Sequence, residues 1–324
     1  MLKIGIAGYG NLGRGVEAAA LKNPDISLCA VFSRRNPAEI KTLTGSPVHS
    51  FDDILKFKDK IDVLILCGGS ATDLPLQSPQ LLKDFNIVDS FDTHAKIPEH
   101  FEKLDKVAKE SGKCAVFSAG WDPGLFSLMR ALFGAVLPDG RDYTFWGRGV
   151  SQGHSDAVRR IDGVLDARQY TIPKKEALDA VKSGLNPGLT ARDKHLRECY
   201  VVLKEGADKA LIEQKIKTMP NYFSEYDTIV HFISKEELDA DHGGLPHGGL
   251  VFRSGQSSEN TSHLLELSIK LDSNPEFTSS VLVACARAAS RLYNEQKYGA
   301  FSILDFPIAY LSPKTQTELY KELL

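Results

Sequence analysis

The chain has 324 residues, of which 42% are hydrophobic and 25% are charged, so it has the composition of a globular protein with room for two domains. A formal net charge of −3, without a long run of lysine or arginine, argues against a nucleic-acid partner. The five cysteines are widely spaced and form no Cys-x-x-Cys pair, which predicts reduced thiols and no structural zinc. Because an apolar strand begins almost at once and no apolar run is long enough to span a bilayer, we expect a cytoplasmic protein without a membrane partner.

The first predicted element is a buried strand that runs into a glycine turn and a helix. Residues 4–14 read IGIAGYGNLGR and contain the spacing Gly-x-Gly-x-x-Gly. In a strand-turn-helix context these glycines permit a tight turn, close approach of a pyrophosphate and packing of the helix on the strand. The segment therefore predicts a dinucleotide site, with these contacts: Gly8, Tyr9, Gly10, Asn11, Leu12 and Gly13.

The second predicted strand, residues 26–32, decides which dinucleotide is expected. It ends in Ser33, Arg34 and Arg35, where an NAD site normally carries an acid that binds the ribose hydroxyls. A hydroxyl and two guanidinium groups suit the 2′-phosphate of NADP, because arginine has forked donors and a permanent charge. The sequence therefore favours NADP over NAD.

Three further strands complete the predicted first domain, after a short capped helix at 51–55. Strands at 61–67, 85–89 and 114–118 alternate with helical or irregular segments. This order predicts an α/β fold with a doubly wound parallel sheet of the Rossmann type, whose ligands bind at the carboxyl ends of the strands. The loops at those ends carry two acids, Asp92 and Asp122, and a group of small residues predicted to contact the cofactor: Gly69, Ser70, Ala71, Thr72 and Asp73.

The pattern changes beyond residue 122. Strand-like segments without glycine fingerprints alternate with two predicted helices, at 174–183 and 207–217. We expect an α+β substrate-binding and dimerisation domain over 123–275, and a dinucleotide-binding domain over 1–122 on which the segment 276–324, with a long helix at 277–296, packs back. The predicted strands of the second domain lie at 143–146, 166–172, 198–203, 226–233 and 264–272.

Two glycine-rich stretches of the second domain are predicted to be loops. Residues 146–156 contain too many glycines and polar residues for a strand, and Gln152 with its neighbouring amides could bind a carboxylate. Residues 241–249 hold His242 and His247 but offer no third ligand at metal-site spacing, so we expect no metal. The glycines around His247 predict a close approach to another group.

The chain resembles the meso-diaminopimelate dehydrogenase family over essentially its whole length. The resemblance rests on the segments already described and on further motifs in the same order: residues 120–124 (GWDPG), 145–147 (FWG), 151–156 (SQGHSD), 246–249 (PHGG) and 271–275 (LDSNP). Two positions depart from the family pattern. Arg148 stands where proline is expected, and Ser90-Phe91 stands where Thr-Tyr is common.

The resemblance implies a homodimer that deaminates meso-2,6-diaminopimelate reversibly at its D-centre with NADP, on the route to lysine. It places Asp92 and Asp122 near the D-amino group. It also implies that Trp121, Asp122 and Pro123 contact the cofactor. It implies that Trp146, Gln152 and Gly153 surround the D-end of the substrate. At the L-end it implies four contacts: Thr171, Arg197, His247 and Asn274.

The residues themselves leave some questions open. Asp92, Asp122 or an ordered water could take the proton from the substrate amine. A dehydrogenase or reductase of the same plan that acts on another small amino or oxo acid is an alternative, as is an NADP-sensing protein without catalysis. Paired carboxylates favour an amine substrate.

Overall fold

The protein is described by a computed structural model that covers residues 1–324. The chain forms two compact units. The first unit contains residues 1–128 and 275–324, and the second contains residues 129–274.

Fourteen strands, numbered in chain order, form three sheets. They are β1 (Leu2–Ala7), β2 (Ile26–Ser33), β3 (Val48–Ser50), β4 (Val63–Leu66), β5 (Asn86–Asp89), β6 (Cys114–Val116), β7 (Gly140–Trp146), β8 (Gly149–Val150), β9 (Val164–Pro173), β10 (His195–Leu203), β11 (Asp227–Phe232), β12 (His247–Ser258), β13 (Thr261–Leu271) and β14 (Gly299–Phe301).

Eleven α-helices accompany the strands, together with short 3-10 helices. The α-helices are α1 (Asn11–Leu21), α2 (Leu74–Leu81), α3 (Ile97–Ser111), α4 (Leu125–Val136), α5 (Gln152–Arg159), α6 (Lys175–Lys182), α7 (Ala191–Lys194), α8 (Lys209–Lys217), α9 (Lys235–Asp241), α10 (Asn274–Asn294) and α11 (Gln316–Leu323). The 3-10 helices are Pro37–Glu39, Phe51–Phe57, His94–Lys96 and Ile308–Leu311.

The first unit is built on a seven-stranded sheet of order β14-β6-β5-β4-β1-β2-β3, in which all strands are parallel. Its strands are apolar on both faces, as parallel strands covered by helices on both sides must be. One face packs on α1 and α10 and the other on α2 and α3. The predicted doubly wound sheet is confirmed, and the strand order reverses between β1 and β4, where such folds bind their ligands.

The helix α10 belongs to the first unit from Pro275 onward. Its small residues lie in the core against β1 and α1, and its buried Arg287 binds the carboxylate of Asp25 through Nε (2.6 Å) and Nη2 (2.7 Å). The end of the chain adds β14 to the sheet beside β6, a strand that the sequence pattern did not predict.

The second unit has a mixed four-stranded sheet, β11-β10-β9-β8, and an antiparallel three-stranded sheet, β13-β12-β7. Apolar residues of β9 and β10 pack against α5 and α8, while α6 covers the smaller sheet near Phe145 and Phe252. The α+β architecture expected for this part of the chain is therefore present.

Both glycine-rich stretches of this unit are more regular than predicted. The prediction of a long loop over 146–156 was wrong, since β8 and the start of α5 lie within it, and the Ser151 hydroxyl caps α5 by accepting from the His154 amide. The predicted loop at 241–249 ends early, because β12 begins at His247. Glycine marks close packing here: a Cβ on Gly248 would lie 2.4 Å from the Ile269 carbonyl oxygen.

Candidate active site

The glycine turn between β1 and α1 has the geometry of a phosphate cradle. Gly8 has φ = 102°, and a Cβ on Gly13 would lie 2.1 Å from the Gly8 carbonyl oxygen, so both positions require glycine. A Cβ on Gly10 would meet nothing within 4 Å. Because no protein group explains the glycine at position 10, the space beside it suits a ligand that approaches the amides at the start of α1.

The end of β2 brings Ser33, Arg34 and Arg35 to this turn. The Arg35 guanidinium donates to the carbonyl oxygen of Tyr9, and the Arg35 amide donates to the buried Ser33 hydroxyl (3.1 Å). Arg34 forms a forked pair with Asp73, with N–O distances of 2.8 and 3.0 Å, while its side chain stays 65% exposed. Two guanidinium groups therefore flank the turn where a 2′-phosphate would bind.

The loop after β4 lies beside the same turn. A Cβ on Gly8 would lie 3.2 Å from the carbonyl group of Cys67, which directly precedes this loop. Asp73 accepts a hydrogen bond from the Gly69 amide (2.9 Å), which closes the turn, and the Ser70 hydroxyl accepts one from the amide of Asp92 (2.9 Å). The segment 69–73 is thereby linked both to Arg34 and to the first predicted catalytic acid.

The two acids follow neighbouring strands. Asp92 lies three residues after β5 and is exposed, and Asp122 follows β6 and is half-buried. Between β6 and Asp122 the indole of Trp121 is buried and meets Phe126 edge-on, at a ring-centroid distance of 5.3 Å. Pro123 directly follows Asp122 and is half-buried.

In the second unit, Thr171 and Arg197 face each other across β9 and β10. They are paired in the antiparallel register, both are buried, and the guanidinium donates to the threonine hydroxyl. The Arg197 guanidinium also lies over the ring of Tyr226, with Cζ 4.0 Å from the ring centroid, while Nε has no hydrogen-bond partner. Burial lowers the pKa of Arg197, and the contact with Tyr226 opposes this effect.

Three histidines lie near this guanidinium: His195 is buried, and His154 and His247 are half-buried. Burial lowers the pKa of both His154 and His195 to about 3, and it also lowers the pKa of His247; the charge of Arg197 adds to the effect at each ring. All three are therefore neutral at pH 7. A cation with neutral neighbours and an unused donor is a site for an anion, since an uncompensated buried charge is costly.

The residues predicted around the D-end lie on nearby segments. The Trp146 amide donates to Nε2 of His195 (2.9 Å), and the two rings stack at 5.2 Å. Gln152 and Gly153 are the first two residues of α5 and are exposed, which leaves their amides at the start of a helix.

His247 is the first residue of β12, and Asn274, the first residue of α10, follows the end of β13 by three residues. A Cβ on Gly149 would lie 2.4 Å from Cγ of His247, so the close approach predicted from the glycines is made by β8. The Asn274 amide donates to the Leu245 carbonyl oxygen (2.9 Å), which places Asn274 near the start of β12.

Sequence reasoning missed three residues of this cluster: His154, His195 and Tyr226. His195 could have been found, because it lies two residues before Arg197 on the same face of a strand. Nothing in the sequence indicated that Tyr226, just before β11, reaches Arg197. His154 was recognised only as part of a motif.

A doubly wound sheet with a glycine cradle, two arginines at the end of β2 and acids after β5 and β6 defines the class of nicotinamide-dinucleotide dehydrogenases. The family model described as the diaminopimelic acid dehydrogenase C-terminal domain matches residues 120–273. The meso-diaminopimelate D-dehydrogenase of Lysinibacillus sphaericus is 59% identical over 323 residues, which cover 100% of this chain and 99% of that protein. The chain belongs to the meso-diaminopimelate dehydrogenase family.

Two solved structures agree with this assignment. The diaminopimelate dehydrogenase of C. glutamicum in complex with diaminopimelate is 42% identical and has a TM-score of 0.94, over 100% of this chain and 99% of that one. An engineered D-amino acid dehydrogenase bound to NADP⁺ is 41% identical and has a TM-score of 0.90, with the same coverage. The resemblance read from the sequence motifs is thus confirmed, as is the prediction of an oxidoreductase.

Proposed function

We propose that this chain catalyses the NADP-dependent, reversible oxidative deamination of meso-2,6-diaminopimelate at its D-centre, which yields L-2-amino-6-oxopimelate and ammonia for lysine biosynthesis. The relatives named for this activity match it from end to end. The observation that carries the proposal within the chain is Arg197, a buried guanidinium that lacks a carboxylate partner and keeps a free Nε. A substrate carboxylate supplies the missing anion.

NADP fits the residues of the first unit, as predicted, and it is the cofactor bound to the related engineered dehydrogenase. The amides beside Gly10 would hold the pyrophosphate, and Ser33, Arg34 and Arg35 would hold the 2′-phosphate. The remaining contacts would come from the segments 69–73 and 121–123. When bound, NADP accepts the hydride that leaves the substrate carbon.

The substrate has an ammonium and a carboxylate at each end, and the chain offers matching groups. We assign Asp92 and Asp122 to the D-ammonium, with Trp146, Gln152 and Gly153 around the same end. We assign Thr171, Arg197, His247 and Asn274 to the L-end. Neutral histidines suit this role, because they leave the guanidinium as the charge that binds the carboxylate.

Hydride loss requires a neutral amine, since its lone pair forms the C=N bond as the C–H bond breaks. Asp92, Asp122 or a water held by them accepts the ammonium proton. Water then adds to the imine carbon and ammonia leaves, which gives the oxo acid. The chain contributes orientation at one end of the substrate and proton transfer at the other.

The test follows NADPH absorbance while the meso, LL and DD isomers are supplied in turn, each with NADP and with NAD. We expect reduction with the meso isomer and NADP. Activity with another amino or oxo acid but none with the meso isomer would indicate a different dehydrogenase. Tight NADP binding without reduction by any substrate would indicate a nucleotide sensor.

We also propose a homodimer in the cytoplasm. The edge strand β13 carries a row of half-buried apolar residues, Leu265, Leu267 and Ile269, on one face. An apolar row on an edge strand favours association with a second copy.

All five cysteines are free thiols, which suits a reducing compartment. No helix has the length and apolar character needed to cross a membrane.

A further inference from the structure

A buried carboxylate lies beneath the two loops that carry Asp92 and Asp122. Asp89, the last residue of β5, has no exposed surface. Its side chain accepts hydrogen bonds from the Ser78 hydroxyl (2.7 Å) and from the amides of Phe91 and Ser118 (3.1 Å each), and it lies 2.8 Å from Nε2 of His100. A carboxylate with four partners is fully engaged in holding other groups in place.

These partners belong to both acid-bearing segments. The Phe91 amide directly precedes Asp92, and the Ser118 amide lies four residues before Asp122. The backbone of Asp89 adds a further link, because its carbonyl oxygen accepts from the Ala119 amide (2.9 Å). Asp89 therefore binds the backbone of both segments that lead to the proposed catalytic acids.

Ser118 needs such support, because it adopts φ = 51°, in the left-handed region that residues other than glycine rarely occupy. Its own hydroxyl is buried and has no hydrogen-bond partner, so it does not stabilise the turn. The hydrogen bond from the Ser118 amide to the Asp89 side chain, together with the one from the Ala119 amide to the Asp89 carbonyl oxygen, thus holds the chain as it turns from β6 towards Asp122.

His100, on α3, contacts Asp89 and both of the segments that Asp89 binds. Its ring stacks on Phe91 at a centroid distance of 4.1 Å and meets Phe117 edge-on at 6.5 Å. These two phenylalanines directly precede Asp92 and Ser118. The imidazole is buried, so it contacts both segments while its Nε2 orients the carboxylate between them.

We propose that Asp89 and His100 are positioning residues, which fix the distance between the carboxylates of Asp92 and Asp122 for proton transfer at the D-centre. This inference rests on the proposed function, because it assigns a role in that reaction. Neither residue touches the substrate. Their effect is expected on turnover, since a displacement of about 1 Å in a reacting group can cost on the order of a hundredfold in rate.

The first test compares wild type with Asp89→Asn, whose amide cannot accept from all four partners. We expect kcat with the meso isomer and NADP to fall by roughly tenfold to a hundredfold. The Kd for NADP, from quenching of protein fluorescence, should stay within about twofold, because the glycine turn is untouched. KM should rise less than kcat falls, since Arg197 still binds the L-carboxylate.

Asp25→Asn is the matched structural control. Asp25 pairs with the buried Arg287 in the same unit, but it directly precedes β2, at the end of the sheet opposite to the catalytic loops. Both variants should lose thermal stability, and only Asp89→Asn should lose turnover. Equal losses of kcat in the two variants, or unchanged kcat in Asp89→Asn, would overturn the inference.

A second pair of variants isolates the hydrogen bond from His100. Glutamine and methionine have similar volume, but only His100→Gln can donate to Asp89. We expect His100→Gln to retain several times more kcat than His100→Met; equal values would remove His100 from the positioning role. If the wild type itself shows no activity with the meso isomer, the proposed function fails, whereas an active wild type with unaffected variants refutes this inference alone.

Discussion

The guanidinium of Arg197 lies over the ring of Tyr226, with Cζ 4.0 Å from the ring centroid. A cation–π contact of this kind helps to hold the guanidinium in place. One donor binds the Thr171 hydroxyl, and Nε remains without a partner. The arrangement leaves this donor available for the substrate carboxylate that we propose Arg197 binds.

Replacement of Arg197 should therefore act on substrate binding. We expect Arg197→Ala to raise KM for the meso isomer by about thirtyfold or more, since loss of a buried charge-assisted pair costs roughly 2–5 kcal/mol. The Kd for NADP should change little. Steady-state kinetics and fluorescence titration measure the two effects.

Arg168→Ala provides the control for this substitution. Arg168 lies on the neighbouring strand, but its side chain points to the opposite face of the sheet and pairs with Asp166 at 3.0 Å. We expect its KM to match wild type. An unchanged KM in Arg197→Ala would exclude Arg197 from the substrate site.

The preference for NADP should depend on the arginines at the end of β2. Arg35→Ala is expected to raise KM for NADP by roughly tenfold to a hundredfold and to leave KM for NAD almost unchanged, because the lost contact is to the 2′-phosphate. Arg34→Ala should have a similar but smaller effect, since Arg34 is already paired with Asp73. Lys56→Ala, in an exposed pair with Asp53, is the control, and an equal loss with NAD and NADP would contradict the assignment.

Much of the first unit could be predicted, because the sequence patterns that indicate its strands and its glycine turn are local. The glycine spacing, the apolar runs of β1, β2 and β4 and the end of β2 each lie within a short segment. Three of the four hydrogen-bond partners of Asp89 come instead from α2, α3 and the loop after β6, and no short segment of sequence contains them together.

In the second unit, glycine residues led to the prediction of loops where the structure has strands. Gly149 and Gly248 lie in strands, because their neighbours approach too closely for a side chain, yet the same residue type usually marks a turn. The contact of Tyr226 with Arg197 also depends on the parallel pairing of β10 with β11, which is a long-range feature. The candidate acids were found from the ends of their strands and His247 from its motif, but the proximity of His154 to Arg197 required the fold.

The buried His195 predicts a specific loss of stability in acid. The pKa of His195 is about 3 in the folded chain and about 6.5 when unfolded, so the unfolded state binds a proton below pH 6.5 that the folded state does not. Stability is therefore complete above pH 6.5 and falls as the pH is lowered towards 3. Between pH 7.5 and 5.0, protonation of His195 in the unfolded state should lower the free energy of unfolding of the wild type by about 2 kcal/mol, and His195→Gln should lack this contribution. Urea unfolding at the two pH values measures this, and an identical decrease in wild type and variant would contradict it.

The apolar row on β13 predicts that one substitution separates the proposed dimer. Leu267 is half-buried within one chain, between Leu265 and Ile269 on the same face of the edge strand. Leu267→Glu would place a charge without a partner in the interface, so we expect the dimer dissociation constant to rise by roughly a hundredfold. Ser268→Glu puts the same charge on the adjacent, exposed position of the opposite face and should leave the dimer intact, because successive side chains of a strand alternate between faces. Sedimentation equilibrium compares the two variants with wild type. Dissociation of both, or of neither, would locate the interface elsewhere on the chain.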